Sequence, residues 1–315
     1  MQALAEFRYD VTSAISQGRR EYQEDAVAAD FPTGAGIGFA VVADGMGGHA
    51  AGDVASKIVV TEMFSELKLR SGDPAAMEAG VGDILRSAAF SANECVRYHT
   101  DTCPETEGMG ATLVAPVMVA NRLYWISVGD SLLYLYREGT LLRLNEDHSM
   151  VPQIDYLVSK GLLGEDEALR HPDRNCLTSV LAGQRIPKID CPEEPVMLFE
   201  NDIILVASDG LQFLEESEIS DLMRLNAHRS SAEISACLMQ DVAALADPDQ
   251  DNISLCVIKV QRDAAVQASL SPPVPATLPA AVSPMRHKRK SVTVMASISR
   301  NKAAMTYRLT SENSA

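Results

Sequence analysis

Runs of apolar residues separated by short polar segments predict most of the strands and helices in the first 260 residues. The run Ile37–Val42 contains β-branched residues and predicts a buried strand, and the helical pattern behind it extends to about Leu69. Pro74 suits the first turn of a second helix, which we predict at Ala75–His99. These two helices can lie antiparallel on one face of a sheet. Residues 7–16 roughly alternate between apolar and polar, which indicates an edge or half-buried strand.

Four apolar runs in the middle of the chain are joined by very short turns. They are Ala111–Val119, Leu123–Val128, Leu132–Arg137 and Thr140–Leu144. Because the connections are short, we expect these strands to be neighbours in an antiparallel meander. Later strands and helices are predicted at Val196–Phe199, Ile203–Ala207, Ser217–Leu225, Ala232–Ala246 and Ile253–Val260, with Ser217 and Ser231 capping the two helices. Residues 145–175 are polar with two short helical patterns, and we predict that this insertion is a flap over a functional site.

Charge divides the chain near residue 260. The protein has 315 residues and a formal net charge of −16. Residues 261–315 contain eight basic and two acidic side chains, so residues 1–260 carry a net charge of −22. We predict one folded domain over 1–260, a Pro/Ala-rich linker over 261–285 and a basic, disordered tail over 286–315. The acidic domain should avoid nucleic acid and anionic membrane surfaces, since phosphate groups would repel it.

The expected location of the protein is the cytoplasm. No apolar run approaches 18 residues, which predicts no membrane span, and the first residues lack the apolar core of a signal peptide. The six cysteines show neither C-x-x-C pairs nor the spacing of a zinc site. We interpret them as small apolar side chains in a reducing compartment.

Acidic residues stand next to several of the apolar runs. These are Asp44 after Ile37–Val42, Asp209 after Ile203–Ala207, Asp251 before Ile253–Val260, and Glu24-Asp25 shortly after the basic pair Arg19-Arg20. Acids at strand ends, scattered along a chain, allow a sheet to assemble an oxygen-rich site. Hard divalent cations such as Mg²⁺ and Mn²⁺ prefer this environment of carboxylate, carbonyl and water oxygens.

Each motif also has a simpler interpretation when it is taken alone. Asp44-Gly45 after an apolar run is often only a hairpin turn, and Gly129-Asp130-Ser131 is a tight turn. The glycines from Gly45 onward fit a loose dinucleotide-binding fingerprint. However, no second strand ending in an acid follows about 20 residues later, where the ribose contact belongs. The recurrence of acids beside strands favours a metal site over these alternatives.

Six short motifs occur in a fixed order along the chain. They are Arg20…Glu24-Asp25, Asp44-Gly45-Met46-Gly47-Gly48-His49, Gly110-Ala111-Thr112, Gly129-Asp130-Ser131, Ser208-Asp209-Gly210 and Asp251-Asn252. Together they resemble the metal-dependent serine/threonine phosphatases of the PP2C family. Met46 and the flap sequence EDHSMV…HPDRN resemble the bacterial branch of that family. The resemblance covers about residues 8–260. It implies an α+β fold, a four-layer α-β-β-α sandwich of two antiparallel sheets flanked by helix pairs, with the metals at one edge.

The resemblance also implies a role for each motif. Asp44 would be catalytic by bridging two metal ions with help from the Gly45 carbonyl, and Arg20 would be catalytic by holding the substrate phosphate. The other ligands implied are Asp209 and Asp251 at the first metal, Glu24 through water or Asp25 at the second, and Asp130 with Asn175 at a third, weaker site.

By this resemblance the protein hydrolyses phosphoserine and phosphothreonine in other proteins, using two Mn²⁺ or Mg²⁺ ions and a third at Asp130. Two cations about 3.5–4 Å apart lower the pKa of a shared water toward about 7 and orient it for in-line attack. The expected partners are phosphorylated proteins and a serine/threonine kinase that acts on the same substrates, and we expect a monomer. The alternative is a phosphatase-like regulatory interaction module for partner switching with little turnover. That module predicts loss of the metal carboxylates, which are present here.

Met46 departs from many eukaryotic members of the family. They carry at this position a histidine that is the proposed general acid. A methionine cannot donate a proton, so the leaving alkoxide needs another donor. His49 and His148 lie in nearby motifs, although a structural or solvent-facing role is the simpler interpretation of each.

Overall fold

Two antiparallel sheets with helices outside them make up the described residues, 7–47 and 51–262, of this computed structural model. The strands are β1 (Phe7–Ser16), β2 (Asp25–Asp30), β3 (Ile37–Met46), β4 (Gly110–Ala111), β5 (Leu113–Val119), β6 (Arg122–Val128), β7 (Leu132–Arg137), β8 (Thr140–Arg143), β9 (Val196–Met197), β10 (Ile203–Ala207) and β11 (Ile253–Arg262). The helices are α1 (Ala51–Arg70), α2 (Pro74–Ala79), α3 (Val81–Thr102), α4 (Val151–Ser159), α5 (Glu165–Leu169), α6 (Glu216–Asn226) and α7 (Ser231–Ala244). Short 3₁₀ helices occupy Pro104–Thr106 and Asp209–Phe213.

The two sheets have separate strand orders. One is β1-β11-β10-β7-β8, and the other is β2-β3-β5-β6-β9, with β4 paired to the end of β3. Strand β1 lies at an edge, as its alternating sequence predicts, and pairs with β11 from Phe7 opposite Arg262 to Ser16 opposite Ile253. Strands β3 and β10 lie inside their sheets, and the opposing sheet and the helices cover both of their faces. This position explains why their sequences are continuously apolar.

Three layers of apolar side chains join the sheets and helices. Ala40 and Val42 of β3 share one buried cluster with Val206 of β10, between the two sheets. The alternate residues Phe39 and Val41 pack with α1 and α3 on the other face, because successive side chains of a strand point in opposite directions. Helices α6 and α7 cover the outer face of the β10–β11 sheet. The predicted four-layer α-β-β-α sandwich is therefore confirmed.

The predicted meander in the middle of the chain is wrong. Strands β5 and β6 pair in one sheet, whereas β7 and β8 pair in the other, so the short connection at Gly129 carries the chain between sheets. Gly129 has a φ of 103°. A Cβ atom there would lie 2.7 Å from Cγ2 of Thr112, so the crossing requires glycine. A short loop between apolar runs does not distinguish a hairpin from a crossing between two packed sheets.

Several helix boundaries also differ from the prediction. The segment predicted as one helix at Ala75–His99 is divided at Gly80 into α2 and α3. The residues that cap α6 and α7 are Glu215 and Ser230, each one to two positions before the serines we expected. Each forms a capping box with the glutamate three residues later, which satisfies otherwise unpaired N–H groups of the first turn.

The linker and tail predicted at 261–285 and 286–315 lie outside the described residues, apart from the last two residues of β11, and remain a prediction. In the described ranges, no helix is both long and apolar enough to cross a membrane.

Candidate active site

A polar cavity of about 360 Å³ lies at the edge of the sandwich that carries the acidic motifs. Its lining residues are Arg20, Asp130, Asp147, Ser149, Val151, Asn175, Asp209, Gln212, Phe213, Asp249 and Asp251. Five of these were predicted as site residues: Arg20, Asp130, Asn175, Asp209 and Asp251. The other four predicted residues do not line the cavity: Asp44, Gly45, Glu24 and Asp25. The carboxyl groups of Asp44, Asp25 and Glu24 lie close enough to those of Asp209 or Asp251 to be affected by their charge.

Asp44 lies within β3 rather than beyond its end. It is paired with Thr112 by two hydrogen bonds: its N–H donates to Thr112 Oγ1 at 2.9 Å, and its carbonyl accepts from the Thr112 N–H at 2.8 Å. Burial raises the pKa of the Asp44 carboxyl well above its usual range, and the charges of Asp209, Asp25 and Asp130 raise it further. Four carboxyl groups from distant parts of the chain therefore converge here.

Asp25 and Asp209 are two further members of this group, of which Asp25 is buried and Asp209 lines the cavity. Asp25 lies directly opposite Asp44 in the β2–β3 ladder, and its Oδ2 accepts a 2.6 Å hydrogen bond from Ser208 Oγ. Burial raises the pKa of Asp25 to about 7, against the lowering effect of Ser208, and the charge of Asp209 also raises it. Burial likewise raises the pKa of Asp209. One buried carboxylate oxygen of each residue has no hydrogen-bond partner among the described residues.

Gly45 and Gly52 allow the start of α1 to contact β3 directly. A Cβ atom on Gly45 would overlap the carbonyl oxygen of Gly52, so only glycine permits this approach. The Gly45 N–H donates to the carbonyl of Glu24 at 3.1 Å. The Glu24 carboxyl lies beside Gly52, and its pKa is raised mainly by burial. Glu24 is thereby held next to the Asp44-Gly45 turn.

Arg20 and Asp251 form an ion pair at the mouth of the cavity. Arg20 Nη2 donates to Asp251 Oδ2 at 2.5 Å, and just over half of the arginine side chain is exposed. Asn252 holds the loop that carries Arg20. Its side chain accepts from the Glu24 N–H at 2.7 Å and donates to the carbonyl of Tyr22 at 2.9 Å. The buried side-chain amide of Asn252 thus helps to hold Arg20 beside Asp251.

Asp130 and Asn175 lie on the flap side of the cavity. Burial raises the pKa of Asp130 to about 7, and the charges of Asp209 and Asp147 raise it further. Asn175 is exposed near the end of the flap, whose short helices α4 and α5 match the predicted ones. Asp147, Ser149, Val151, Gln212, Phe213 and Asp249 also line the cavity and were not predicted as site residues.

The donor chemistry of this group fits a hard divalent cation. Across residues 7–47 and 51–262, no group of three or more histidine, cysteine, aspartate or glutamate side chains is arranged so that it could hold a metal ion. The carboxylates are nevertheless close enough to raise one another's pKa, and buried oxygens of Glu24, Asp25 and Asp209 lack partners in the described part of the chain. Unpaired carboxylate oxygens without nitrogen or sulfur donors suit Mg²⁺ or Mn²⁺.

Comparison with known proteins identifies the family. The family model described as Protein phosphatase 2C matches residues 12–247. The chain belongs to the protein phosphatase 2C family. The serine/threonine phosphatase stp of Listeria welshimeri is 32% identical over 221 residues, which are 70% of this chain and 82% of that protein. The protein is accordingly a PP2C-type serine/threonine protein phosphatase, as its motifs predict.

Solved structures of this family share the fold. The crystal structure of the Mycobacterium tuberculosis serine/threonine phosphatase PstP/Ppp matches with a TM-score of 0.66 and 27% identity, over 81% of this chain and 99% of that chain. A second structure is the catalytic domain of PstP in complex with two manganese ions, with a TM-score of 0.61 and 27% identity over 81% and 99% of the two chains. The PP2C family therefore binds metal.

The two histidines considered as proton donors have different outcomes. His148 is buried, with 1% of its surface exposed, and its Nδ1 accepts a hydrogen bond from the Gly129 N–H. It does not line the cavity. His49 lies outside the described residues, and Met46 ends β3 opposite Gly110.

Proposed function

We propose that this phosphatase hydrolyses phosphoserine and phosphothreonine in proteins by direct attack of water, at the cavity lined by Arg20, Asp209 and Asp251. The observation that carries this proposal is the convergence of buried carboxyl groups with raised pKa beside an exposed arginine. Such a group is unfavourable as a purely structural element, because like charges in a low-dielectric environment repel one another.

Asp44, the Gly45 carbonyl, Asp209 and Asp251 would hold two Mn²⁺ or Mg²⁺ ions. Glu24 through water, or Asp25, would support the second ion, and Asp130 with Asn175 would hold a third. When bound, such cations supply the positive charge that activates a water nucleophile at neutral pH and neutralises the phosphate. Asp25 accepts a hydrogen bond from Ser208 and lies opposite Asp44 in the β2–β3 ladder. Its main role would therefore be to orient Asp44 rather than to contact the substrate.

Arg20 would bind the phosphate of the substrate. A guanidinium presents five N–H donors in a planar fork that matches two phosphate oxygens. The Asp251 contact uses one nitrogen of Arg20 and fixes the direction of the side chain. The other nitrogens can then face the cavity, where they would align the phosphorus with the attacking water.

The cellular partners follow from this chemistry. The substrates would be phosphorylated proteins, and a serine/threonine kinase acting on the same proteins would oppose the enzyme. The relatives with curated names are themselves serine/threonine phosphatases, which supports this assignment.

The test is phosphate release from a phosphothreonine peptide at increasing Mn²⁺. We expect hydrolysis by the full chain with Mn²⁺ and none with excess EDTA. The variant Asp209→Asn keeps the size of the side chain and removes one charge, so it should remain folded and lose most turnover. Wild-type rates in EDTA, or an Asp209→Asn enzyme as active as wild type, would refute the two-metal proposal.

A further inference from the structure

The turn Gly129–Ser131 is held by hydrogen bonds to all three of its residues. It crosses from one sheet to the other and carries Asp130 into the cavity. The partners come from one short segment, which runs from the last residue of β8 into the first residues of the flap. We call Arg143, Asn145 and His148 the Asp130 clamp.

His148 contacts Gly129 at two points. The His148 N–H donates to the Gly129 carbonyl at 3.0 Å, and the Gly129 N–H donates to His148 Nδ1 at 3.2 Å. The side chain is fully buried, and burial lowers the pKa of His148. The neutral ring then has its proton on Nε2 and its lone pair on Nδ1, which is the form that can accept from Gly129.

Arg143 and Asn145 hold the other two residues of the turn. Arg143 Nη2 donates to the Asp130 carbonyl at 3.0 Å. Asn145 Nδ2 donates to the Ser131 carbonyl at 2.8 Å, while its Oδ1 accepts from the Leu133 N–H at 2.8 Å. Asn145 is 5% exposed, so these bonds are shielded from water.

The clamp also joins the turn to both ends of the flap. His148 lies near the start of the flap, residues 145–175, and Thr178 lies just after its end; the Thr178 N–H and Oγ1 both donate to the His148 carbonyl, at 2.7 and 2.8 Å. The backbone of Asp130 is therefore fixed by the same residue that anchors the root of the flap.

We propose that Arg143, Asn145 and His148 are positioning residues that set the place of Asp130 in the cavity, and through it the affinity for the divalent cation that Asp130 holds. This inference rests on the proposed role of Asp130 as a metal ligand. None of the three residues lines the cavity, and each of them contacts the backbone of the turn that carries Asp130. Arg143 also pairs with Asp147, a lining residue, at 3.4 Å.

The sharpest test compares His148→Asn with His148→Gln. The Oδ1 atom of asparagine occupies the position of Nδ1 and can still accept from the Gly129 N–H. The extra methylene of glutamine moves the acceptor away from it. Half-maximal Mn²⁺ is measured in peptide hydrolysis, and Mn²⁺ bound per chain is measured by equilibrium dialysis of the full chain without substrate. We expect His148→Gln to bind Mn²⁺ about tenfold more weakly, as loss of a residue supporting a ligand commonly does, and His148→Asn to stay within about twofold of wild type.

Lys259→Met is the control for general destabilisation. Lys259 is 6% exposed and donates to the carbonyls of Ala227 and Arg229, at the far end of β11 from Asp251. The Lys259→Met substitution should lower the melting temperature without changing the Mn²⁺ dependence of the enzyme. If His148→Gln does not fold, Arg143→Met replaces it, because Arg143 is partly exposed on an edge strand and methionine keeps its stem.

Equal Mn²⁺ affinity in the His148→Asn and His148→Gln proteins would overturn the positioning role, as would a shift of the same size in Lys259→Met. When Arg143→Met stands in for an unfolded variant, wild-type Mn²⁺ binding by that protein overturns it. A wild-type enzyme that hydrolyses the peptide without Mn²⁺ would instead refute the proposed function.

Discussion

Thr112 offers a direct test of how the fold holds Asp44 in place. Its hydroxyl accepts from the Asp44 N–H at 2.9 Å and shares a 2.8 Å hydrogen bond with the hydroxyl of Ser131. Thr112 is 1% exposed, so no water can substitute for it. Valine has nearly the same shape without the hydroxyl. Thr112→Val would therefore leave a buried N–H of Asp44 without an acceptor.

The expected loss of stability follows from that unpaired group. A buried donor without a partner costs about 1–3 kcal/mol in free energy of unfolding. Thr112→Ser is the matched control, since it keeps the hydroxyl and removes one methyl group, worth about 1 kcal/mol. The two variants therefore change stability by overlapping amounts, and only Thr112→Val releases the backbone of Asp44.

Activity should separate the two variants more clearly than stability does. A shift of about 1 Å in a reacting group can lower the rate about 100-fold. We expect kcat on a phosphothreonine peptide to fall about 10- to 100-fold in Thr112→Val and less than about threefold in Thr112→Ser. Urea denaturation of both proteins gives the free energies of unfolding. If Thr112→Val unfolds at the wild-type urea concentration and keeps the wild-type kcat, the hydroxyl does not hold Asp44 and the reasoning is wrong.

Two other predictions follow from the charges of the site. Mn²⁺ at about 100 times its dissociation constant should stabilise the fold by about 2.7 kcal/mol, a rise in melting temperature of roughly 5–10 °C that EDTA reverses; an unchanged melting temperature would contradict binding by the folded state. Arg20→Ala should raise KM for the phosphopeptide and lower kcat while Mn²⁺ binding in calorimetry stays near wild type, with Arg20→Lys intermediate because an ammonium cannot form the planar fork. Unchanged kinetics in Arg20→Ala would make that residue an ordinary surface charge.

Much of the architecture could be predicted because buried strands have a simple signature. The runs that became β3 and β10 are continuously apolar and that of β11 is mostly so, and each lies between covering layers on both sides. The strand β2, Asp25–Asp30, was missed because its sequence of alanines and acids has no clear periodicity. Its place is decided by pairing with β3 rather than by its own residues.

In the candidate site, only residues that belong to a short local sequence motif could be predicted. Asp44, Asp209 and Asp251 were singled out because each stands beside an apolar run, whereas Asp130 was implied only by the family resemblance. The crossing at Gly129 was not predicted, since the length of a loop does not tell which sheet receives the next strand. The contacts of Asn145 and His148 with this turn also left no signal, because their partners are backbone groups 12 to 19 residues away. A hydrogen bond from a side chain to a distant backbone group imposes no pattern on sequence.

The same contacts connect metal binding with stability. A substitution that weakens metal binding should lower the stability of the metal-free fold at one kind of residue and raise it at another. Thr112, Ser131 and Asn145 form hydrogen bonds that hold the site together, linking β3 of one sheet to the start of β7 in the other. Asp209 has the reverse effect in the metal-free protein, because its buried charge opposes those of Asp44 and Asp251. Replacing a network residue should lower both stability and metal affinity. Asp209→Asn removes a repelling charge, so it should lower metal affinity while the metal-free fold becomes more stable. Thermal unfolding of Thr112→Val and Asp209→Asn in EDTA distinguishes these cases: shifts in the same direction would mean that repulsion among the carboxylates contributes little, and that hydrogen bonding alone governs the stability of this edge of the sandwich.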